Sequence, residues 1–261
     1  MRAQGVFLDL EGVMYQDGTP IDGASETLAS LHDAGIQIRY LTNTTTRCRT
    51  RIIEQMSGFG FTATEHEVFS PAIAARRYLE SESLSSVYLA AETDLLTDFD
   101  GVILDDHAPD AVIMGDLHTR FDWALLNRLF GMVQSGARLV ALHKNRYCRR
   151  DGRISLDLGP FVAALEYAAG IEAIVMGKPD VGFFQMALKD MNLGSSDVIM
   201  VGDDPYSDIG GARNAGIQAV QVRTGKYRPP GSSGALDPDI VSDAIIDSIA
   251  DLPAFLGIAR P

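Results

Sequence analysis

Four segments rich in apolar residues are each followed, directly or after one glycine, by polar residues, a pattern typical of buried strands in a parallel sheet. They cover residues 6–8, 36–41, 174–176 and 198–201. Apolar side chains also recur at helical spacing, as in residues 25–34, where Leu28 and Leu31 share a face and Gly35 ends the helix. Residues 224–238, rich in Gly, Pro and Ser, predict an exposed loop. The alternation of strands and helices predicts an α/β fold with a parallel sheet flanked by helices.

The middle of the chain, residues 84–173, has its own alternation of strands and helices. Three short apolar runs there cover residues 87–90, 111–114 and 139–142. Asp151-Gly152 lies between two extended segments and is a hairpin signal. We therefore predict a discontinuous core domain, residues 1–83 and 174–261, into which a second α/β domain, residues 84–173, is inserted.

Polar side chains stand where each of the four predicted core strands ends. They are Asp9 with Glu11, Thr42 with Asn43, Lys178, and the acids Asp203, Asp204 and Asp208. Asp9 and Glu11 project to the same side because side chains alternate along a strand. Since the carboxyl ends of parallel strands lie along one edge of a sheet, we expect all four groups to converge in one crevice.

These residue types suit phosphoryl transfer through an aspartyl-phosphate. Asp9 would attack phosphorus as a carboxylate nucleophile. Mg²⁺ prefers oxygen ligands, which Asp9, Asp203 and the backbone carbonyl of Glu11 would supply. Acids clustered at a buried strand end repel one another, so a cation or a functional use is favoured for this group. In the alternative interpretation, Asp9 and Glu11 have no catalytic role and only begin a loop in which Gly12 makes the turn.

Three further residues are predicted to hold the phosphoryl group. Thr42 and Asn43 offer a hydroxyl, an amide and loop N–H groups to its oxygens, and Lys178 offers a positive charge. Other interpretations stay open, because Thr42 and Asn43 could instead cap the next helix. Lys178 with Pro179 could equally be the start of a solvated loop.

Charge and composition exclude several classes of partner. The formal net charge of −13 argues against a nucleic-acid surface, which needs clustered Lys and Arg. No apolar run reaches the length of about 18–20 residues that a membrane span requires, and we expect no signal peptide because the buried strand begins almost at once. Cys48 and Cys148 have no metal-ligand spacing, so two free thiols in a cytoplasmic protein are expected.

The four groups, in this order, resemble the motifs of the haloacid dehalogenase (HAD) superfamily of phosphatases. These motifs are Asp9-Leu10-Glu11-Gly12-Val13, Thr42-Asn43, Lys178-Pro179 and Gly202-Asp203-Asp204-Pro205-Tyr206-Ser207-Asp208. An insertion between the second and third motifs is similar to subfamily IIA, the NagD-like and 4-nitrophenylphosphatase-like enzymes with a C2-type cap. Residues 143–147 and 159–167 resemble the branch of HAD-like hydrolase domain-containing protein 2 and phospholysine phosphohistidine inorganic pyrophosphate phosphatase.

The resemblance implies a Rossmann-like HAD core with an inserted α/β C2-type cap. It also implies a Mg²⁺-dependent phosphatase that acts on a small phosphorylated metabolite, with Asp9 as the nucleophile and Lys178 as a second catalytic residue. Asp204 and Asp208 would support the site around the metal ligands. The cap would set substrate choice and can mediate a homodimer.

The first motif departs from the family at Glu11, where most members carry Asp. In the family this residue is the general acid for the leaving group and then the base for the attacking water. Glutamate keeps the carboxyl group but moves it by one carbon–carbon bond, and proton transfer needs heavy atoms about 2.6–3.2 Å apart. We expect retained but slow or selective catalysis.

Two rival functions follow from the same residues. One is a HAD-like binding or regulatory protein whose catalysis is weakened at Glu11. The other is dehalogenation, which the acids Asp203, Asp204 and Asp208 disfavour because that reaction on this scaffold needs no metal cluster.

Overall fold

The computed structural model describes residues 3–150, 153–229 and 240–258. The predicted Asp151-Gly152 turn and residues 230–238 of the predicted exposed loop lie outside the described residues. Among the described helices, none combines the length and the apolar character that a membrane span needs.

Strands and helices alternate through the described chain. The strands are β1 Gly5–Leu8, β2 Tyr15–Gln16, β3 Thr19–Pro20, β4 Gln37–Leu41, β5 Val68–Phe69, β6 Ser86–Ala90, β7 Ile103–Leu104, β8 Ala111–Met114, β9 Arg138–Ala141, β10 Tyr147–Arg150, β11 Arg153–Leu156, β12 Ile174–Val175, β13 Val198–Gly202, β14 Gln218–Val222 and β15 Ala244–Ile246. The α-helices are α1 Ala24–Asp33, α2 Arg49–Gly58, α3 Pro71–Glu82, α4 Trp123–Gln134, α5 Leu158–Ala169, α6 Val181–Met191, α7 Gly211–Asn214 and α8 Leu252–Phe255. A π-helix, Pro205–Gly210, precedes α7.

Two parallel sheets organise these elements. The larger has the strand order β15-β14-β13-β1-β4-β5, and the smaller has the order β12-β9-β8-β6-β7. Two antiparallel hairpins, β2–β3 and β10–β11, complete the strand pairing. The α/β fold class with parallel sheets flanked by helices is confirmed.

The larger sheet is buried because helices pack on its apolar side chains. Helix α1 contributes Leu28 and Leu31 to the same buried cluster as Val6 and Leu8 of β1. The intervening side chain, Phe7, points to the opposite face, where its ring lies 6.5 Å from that of Phe184 in α6. Strand β1 is therefore covered on both sides, as its continuous apolar run predicted.

The chain divides into two compact units. The first comprises residues 1–42, 52–69 and 178–261, and the second comprises residues 43–51 and 70–177. These boundaries differ from the predicted domains, 1–83 with 174–261 and 84–173, and the domain assignment stays a prediction.

The predicted core strand at residues 174–176 was wrong. Strand β12, Ile174–Val175, pairs with β9 in the smaller sheet, where Ile174 lies opposite Val140. A short apolar run carries no information about which sheet it joins, because the hydrogen bonds that decide this come from distant residues. Lys178 therefore follows a strand of the smaller sheet.

Candidate active site

Asp9 follows the central strand β1 of the larger sheet. Its backbone N–H donates to the carbonyl of Val201 at 3.0 Å, so the parallel pairing with β13 continues to the end of the strand. The Asp9 side chain is 13% exposed, against 1% for Asp208 and 3% for Lys178. Asp9 is therefore the most accessible of these three charged groups.

The neighbouring strand β13 delivers three more carboxylates. Asp203 follows the last residue of β13 and is buried. Asp204 accepts hydrogen bonds from the backbone N–H groups of Tyr206 and Ser207 and so begins the π-helix. Asp208 in this helix turns back, and its Oδ2 accepts from the Asp204 N–H at 3.1 Å. The close spacing of these acids in the sequence thus reflects one turn built around them.

Lys178 joins the ends of the strands. Its Nζ lies 2.5 Å from Asp9 Oδ1 and 2.7 Å from Asp208 Oδ1, and it donates to the carbonyl of Leu41 at the end of β4 at 3.0 Å. The structure therefore brings together the predicted residues Asp9, Lys178 and Asp208.

Burial and mutual repulsion shift the pKa values of the buried acids. Burial, reinforced by the charges of Asp9 and Asp208, raises the pKa of Asp203 to about 8. Burial also raises the pKa of Asp208 to about 6, although Lys178 opposes this shift. For Lys178 itself, burial lowers the pKa, but the charges of Asp208 and Asp9 outweigh it and raise the pKa above its ordinary value.

The three buried acids form a cluster that suits a hard divalent cation. Asp9, Asp203 and Asp208 each offer a carboxylate oxygen, and these oxygens lie within 4.8 Å of one another. When all three are ionised, the single positive charge of Lys178 leaves two negative charges uncompensated. Mg²⁺ would balance this charge, and carboxylate oxygens are its preferred protein ligands. The residues present therefore fit the predicted metal.

Glu11 lies apart from this carboxylate cluster. The residue is exposed, and its Oε1 accepts from the N–H of Asp17 in the turn between β2 and β3 at 2.8 Å. Asp17 and Gly18 both have left-handed backbones, with φ of 49° and 78°. The long side chain of Glu11 thus reaches the tip of the hairpin, and its proton-transfer role stays a prediction.

Thr42 and Asn43 fall in different units of the structure. Thr42 ends a segment of the first unit, is buried, and donates its N–H to the carbonyl of Phe69 at 3.3 Å. Asn43 begins a segment of the second unit, where a Cβ built on Gly177 would lie 2.9 Å from its Oδ1. Their predicted contacts with a phosphoryl group stay predictions.

Lys226 is a site residue that the sequence analysis missed. It lies in the predicted exposed loop after β14 and is itself exposed, but its Nζ lies 2.9 Å from Asp204 Oδ2 and its N–H donates to Asp203 Oδ2 at 2.7 Å. Because β14 pairs in parallel with β13, its carboxyl end opens on the same edge of the sheet. A lysine just after that strand was the available signal.

The parallel α/β fold, with an aspartate, a lysine and an acid-rich turn at one sheet edge, defines a class of hydrolases. Family models described as haloacid dehalogenase-like hydrolase and HAD-hydrolase-like match residues 6–104 and 175–252. Together with the relatives below, these matches show that the chain belongs to the haloacid dehalogenase-like hydrolases.

Curated relatives match nearly the whole chain. Phospholysine phosphohistidine inorganic pyrophosphate phosphatase from Danio rerio is 38% identical over 253 residues, covering 95% of this chain and 92% of the relative. Haloacid dehalogenase-like hydrolase domain-containing protein 2 from Rattus norvegicus is 37% identical over 225 residues, covering 86% of each. The predicted branch of the family is thereby confirmed.

A solved structure shares the whole fold. The p-nitrophenyl phosphatase from Archaeoglobus fulgidus superimposes with a TM-score of 0.89 at 22% identity, covering 98% of this chain and 100% of the other. At this level of identity the likeness shows the fold.

Proposed function

We propose that this protein is a Mg²⁺-dependent phosphatase that hydrolyses a small phosphorylated metabolite through an aspartyl-phosphate on Asp9. The observation that carries the proposal is the contact of Lys178 with both Asp9 and Asp208 beside the buried Asp203. The names of two similar proteins, phospholysine phosphohistidine inorganic pyrophosphate phosphatase and p-nitrophenyl phosphatase, support it.

Asp9 acts as the nucleophile because it is the accessible carboxylate of the cluster. An oxygen of Asp9 forms a bond to phosphorus while the bond from phosphorus to the leaving oxygen breaks. Lys178 pairs with Asp9 and places positive charge beside the developing negative charge. Thr42 and Asn43 are the further phosphate-binding residues in this proposal.

Glu11 is the proposed proton carrier. Its carboxyl group gives a proton to the leaving oxygen in the first step. In the second step, the carboxylate takes a proton from the water that attacks phosphorus, and phosphate is released from Asp9. The hydrogen bond from the Asp17 N–H holds one Glu11 oxygen, so the group must turn from the hairpin to act or use its other oxygen.

Mg²⁺ would be held by Asp9, Asp203 and the backbone carbonyl of Glu11, with Asp204 and Asp208 supporting the site. When bound, the cation neutralises charge so that an anionic nucleophile and an anionic phosphate can approach. The proposal further includes a cytoplasmic location, a cap formed by residues 84–173, and a homodimer formed through it. The weakened binding protein is the alternative, and the names of the relatives do not favour it.

Hydrolysis of p-nitrophenyl phosphate tests the proposal. The wild type is assayed with Mg²⁺ and with a chelator, beside Asp9→Asn and the control Asp247→Asn, whose side chain is 75% exposed. We expect metal-dependent turnover that falls about a thousandfold or more in Asp9→Asn, as for the loss of a nucleophile. The control should match the wild type.

Two results would contradict the proposal. Turnover that persists in the chelator would show that the reaction needs no metal. Full activity of Asp9→Asn would show that Asp9 is not the nucleophile. If the wild type does not hydrolyse p-nitrophenyl phosphate, the Glu11→Asp variant distinguishes an enzyme selective for another substrate from a site weakened by Glu11. Activity in Glu11→Asp would indicate the weakened site.

A further inference from the structure

The loop after β14 closes around the side chain of Asp203. The Lys226 N–H donates to Asp203 Oδ2 at 2.7 Å. Thr224 donates its hydroxyl to the carbonyl of Gly12, and the Gly225 N–H donates to Gln16 Oε1 at 3.1 Å. The loop is thus bonded both to the carboxylate and to the segment that follows β1.

Two glycines leave just enough room for this carboxylate. Gly12 and Gly225 both have left-handed backbones, with φ of 87° and 66°. A Cβ on Gly12 would lie 2.6 Å from Asp203 Cγ, and a Cβ on Gly225 would lie 2.8 Å from the same atom. The same Cβ on Gly225 would also lie 2.8 Å from the Cα of Gly12. We call this arrangement of Gly12 and Gly225 the glycine slot, and no side chain fits on either glycine without displacing Asp203.

We propose that the glycine slot and the Lys226 N–H are positioning elements that set the Mg²⁺ affinity of this site. The Lys226 N–H holds the Asp203 carboxylate by a hydrogen bond to Oδ2, and the glycine slot confines the same carboxylate, so that it is held in place for the cation. Groups that orient a metal ligand from outside typically change metal affinity about 10–100-fold when they are mutated. The inference rests on the proposed function, because Mg²⁺ is part of that proposal.

The side chain of Lys226 serves the same arrangement. Its ammonium group pairs with Asp204, with Nζ lying 2.9 Å from Asp204 Oδ2. This pairing occupies Asp204, so the loop engages one acid through its backbone and the next through its side chain.

Titration of the chelator-treated protein with Mg²⁺ in a calorimeter tests the inference. Gly225→Ala should bind Mg²⁺ at least about tenfold more weakly than the wild type. The matched control is Gly257→Ala, because Gly257 also has a left-handed backbone, with φ of 70°, but a Cβ there would meet nothing within 4 Å. This control carries the same backbone strain without the collision and should bind as the wild type does.

A milder variant, Thr224→Val, keeps the shape but removes the hydrogen bond to Gly12, and we expect its affinity to fall about fivefold. If Gly225→Ala does not fold, as judged by circular dichroism, this variant decides. Wild-type affinity in Thr224→Val would then overturn the inference.

The outcomes separate the inference from the function on which it rests. If the wild type binds Mg²⁺ and Gly225→Ala binds it with the same affinity, the inference is overturned and the proposed function stands. An equal loss in Gly257→Ala would also overturn it, because backbone strain would then be the cause. Absence of Mg²⁺ binding by the wild type would overturn the proposed function, and the inference with it.

Discussion

The ammonium group of Lys178 holds together charges that would otherwise repel. It is 3% exposed and lies within 2.7 Å of carboxylate oxygens of both Asp9 and Asp208. A buried cation in this position lowers the free energy of the ionised acids, and its removal leaves them buried without compensation. The same contact therefore contributes to stability and, in the proposed mechanism, sets the charge beside Asp9.

Replacement of Lys178 by Met should abolish turnover and also destabilise the protein. Breaking a buried ion pair by removing one partner typically costs about 3–5 kcal/mol, so we expect a loss of this size in urea unfolding monitored by circular dichroism. The control is Lys189→Met on the exposed side of α6, which should change the free energy of unfolding by about 0.5 kcal/mol or less.

A companion variant checks the cause of that loss. Lys178→Met combined with Asp208→Asn removes one of the charges that the loss of Lys178 leaves uncompensated, so it should recover part of the stability but no activity. If the losses of stability caused by the two single changes simply add in the double variant, the ion pair is not the source of the effect.

Glu11→Gln tests the proposed proton carrier. An amide cannot exchange the proton, so we expect kcat to fall about 100-fold or more, whereas Mg²⁺ affinity should change little because the proposed ligand is the backbone carbonyl. Steady-state kinetics and calorimetry on the same preparations measure both. An unchanged kcat would show that the Glu11 carboxyl transfers no proton in the rate-determining step.

At the scale of elements, the sequence predicts what local patterns decide. The helix expected at residues 25–34 is observed at Ala24–Asp33, and Leu28 and Leu31 are buried as expected. Helix α2, Arg49–Gly58, likewise buries Ile52 and Met56, which are spaced four residues apart.

Distant residues account for most of what the sequence did not predict. The N–H groups of Cys48 and Arg49, at the start of α2, are bound by the carboxylates of Asp94 and Asp98. The sequence alone could group Asp9, Lys178 and Asp208, because each is polar and follows a predicted strand or turn. The contact between Lys226 and Asp204 joins loops that only the pairing of β13 with β14 brings side by side.

Helix α6 is fixed to the sheet by aromatic packing, which offers a test at this scale. Phe184 is fully buried against Phe7, and Phe183 lies 5.2 Å from Phe69, measured between ring centroids. Phe184→Ala should lower the free energy of unfolding by about 3–5 kcal/mol, because a large cavity is left in a packed layer. Chemical denaturation measures this loss.

An exposed phenylalanine provides the comparison for this cavity. Phe255 is 38% exposed, so Phe255→Ala should cost clearly less than Phe184→Ala. Equal losses in the two variants would contradict the packing assigned to α6.

For the molecule as a whole, stability should depend on pH through the buried acids. The pKa of Asp203 rises on folding from its ordinary value of 3.8 to about 8, and that of Asp208 rises to about 6. The folded protein therefore binds these protons more tightly than the unfolded chain does. Their contribution to stability is complete below about pH 4 and is lost as the pH rises through about 6 and then 8.

Mg²⁺ should reverse this loss, because the cation replaces the protons and binds the ionised acids. Without metal, the melting temperature should fall between pH 6 and pH 8.5. At a Mg²⁺ concentration about 100 times its dissociation constant, binding contributes about 2.7 kcal/mol, which corresponds to a rise of about 5 °C or more. The rise should be larger at pH 8.5 than at pH 6, where protons compete with the cation.

Differential scanning calorimetry with and without Mg²⁺ at the two pH values measures both effects. In Asp203→Asn the site has no proton to lose at this position and one ligand fewer, so the metal-free decline should shrink and the Mg²⁺-induced rise should largely disappear. Na⁺ at equal ionic strength separates general screening of the net charge of −13 from binding of the divalent cation. If Asp203→Asn retains the full pH-dependent rise in melting temperature on addition of Mg²⁺, the cation binds elsewhere. It then does not balance the charges of Asp9, Asp203, Asp208 and Lys178.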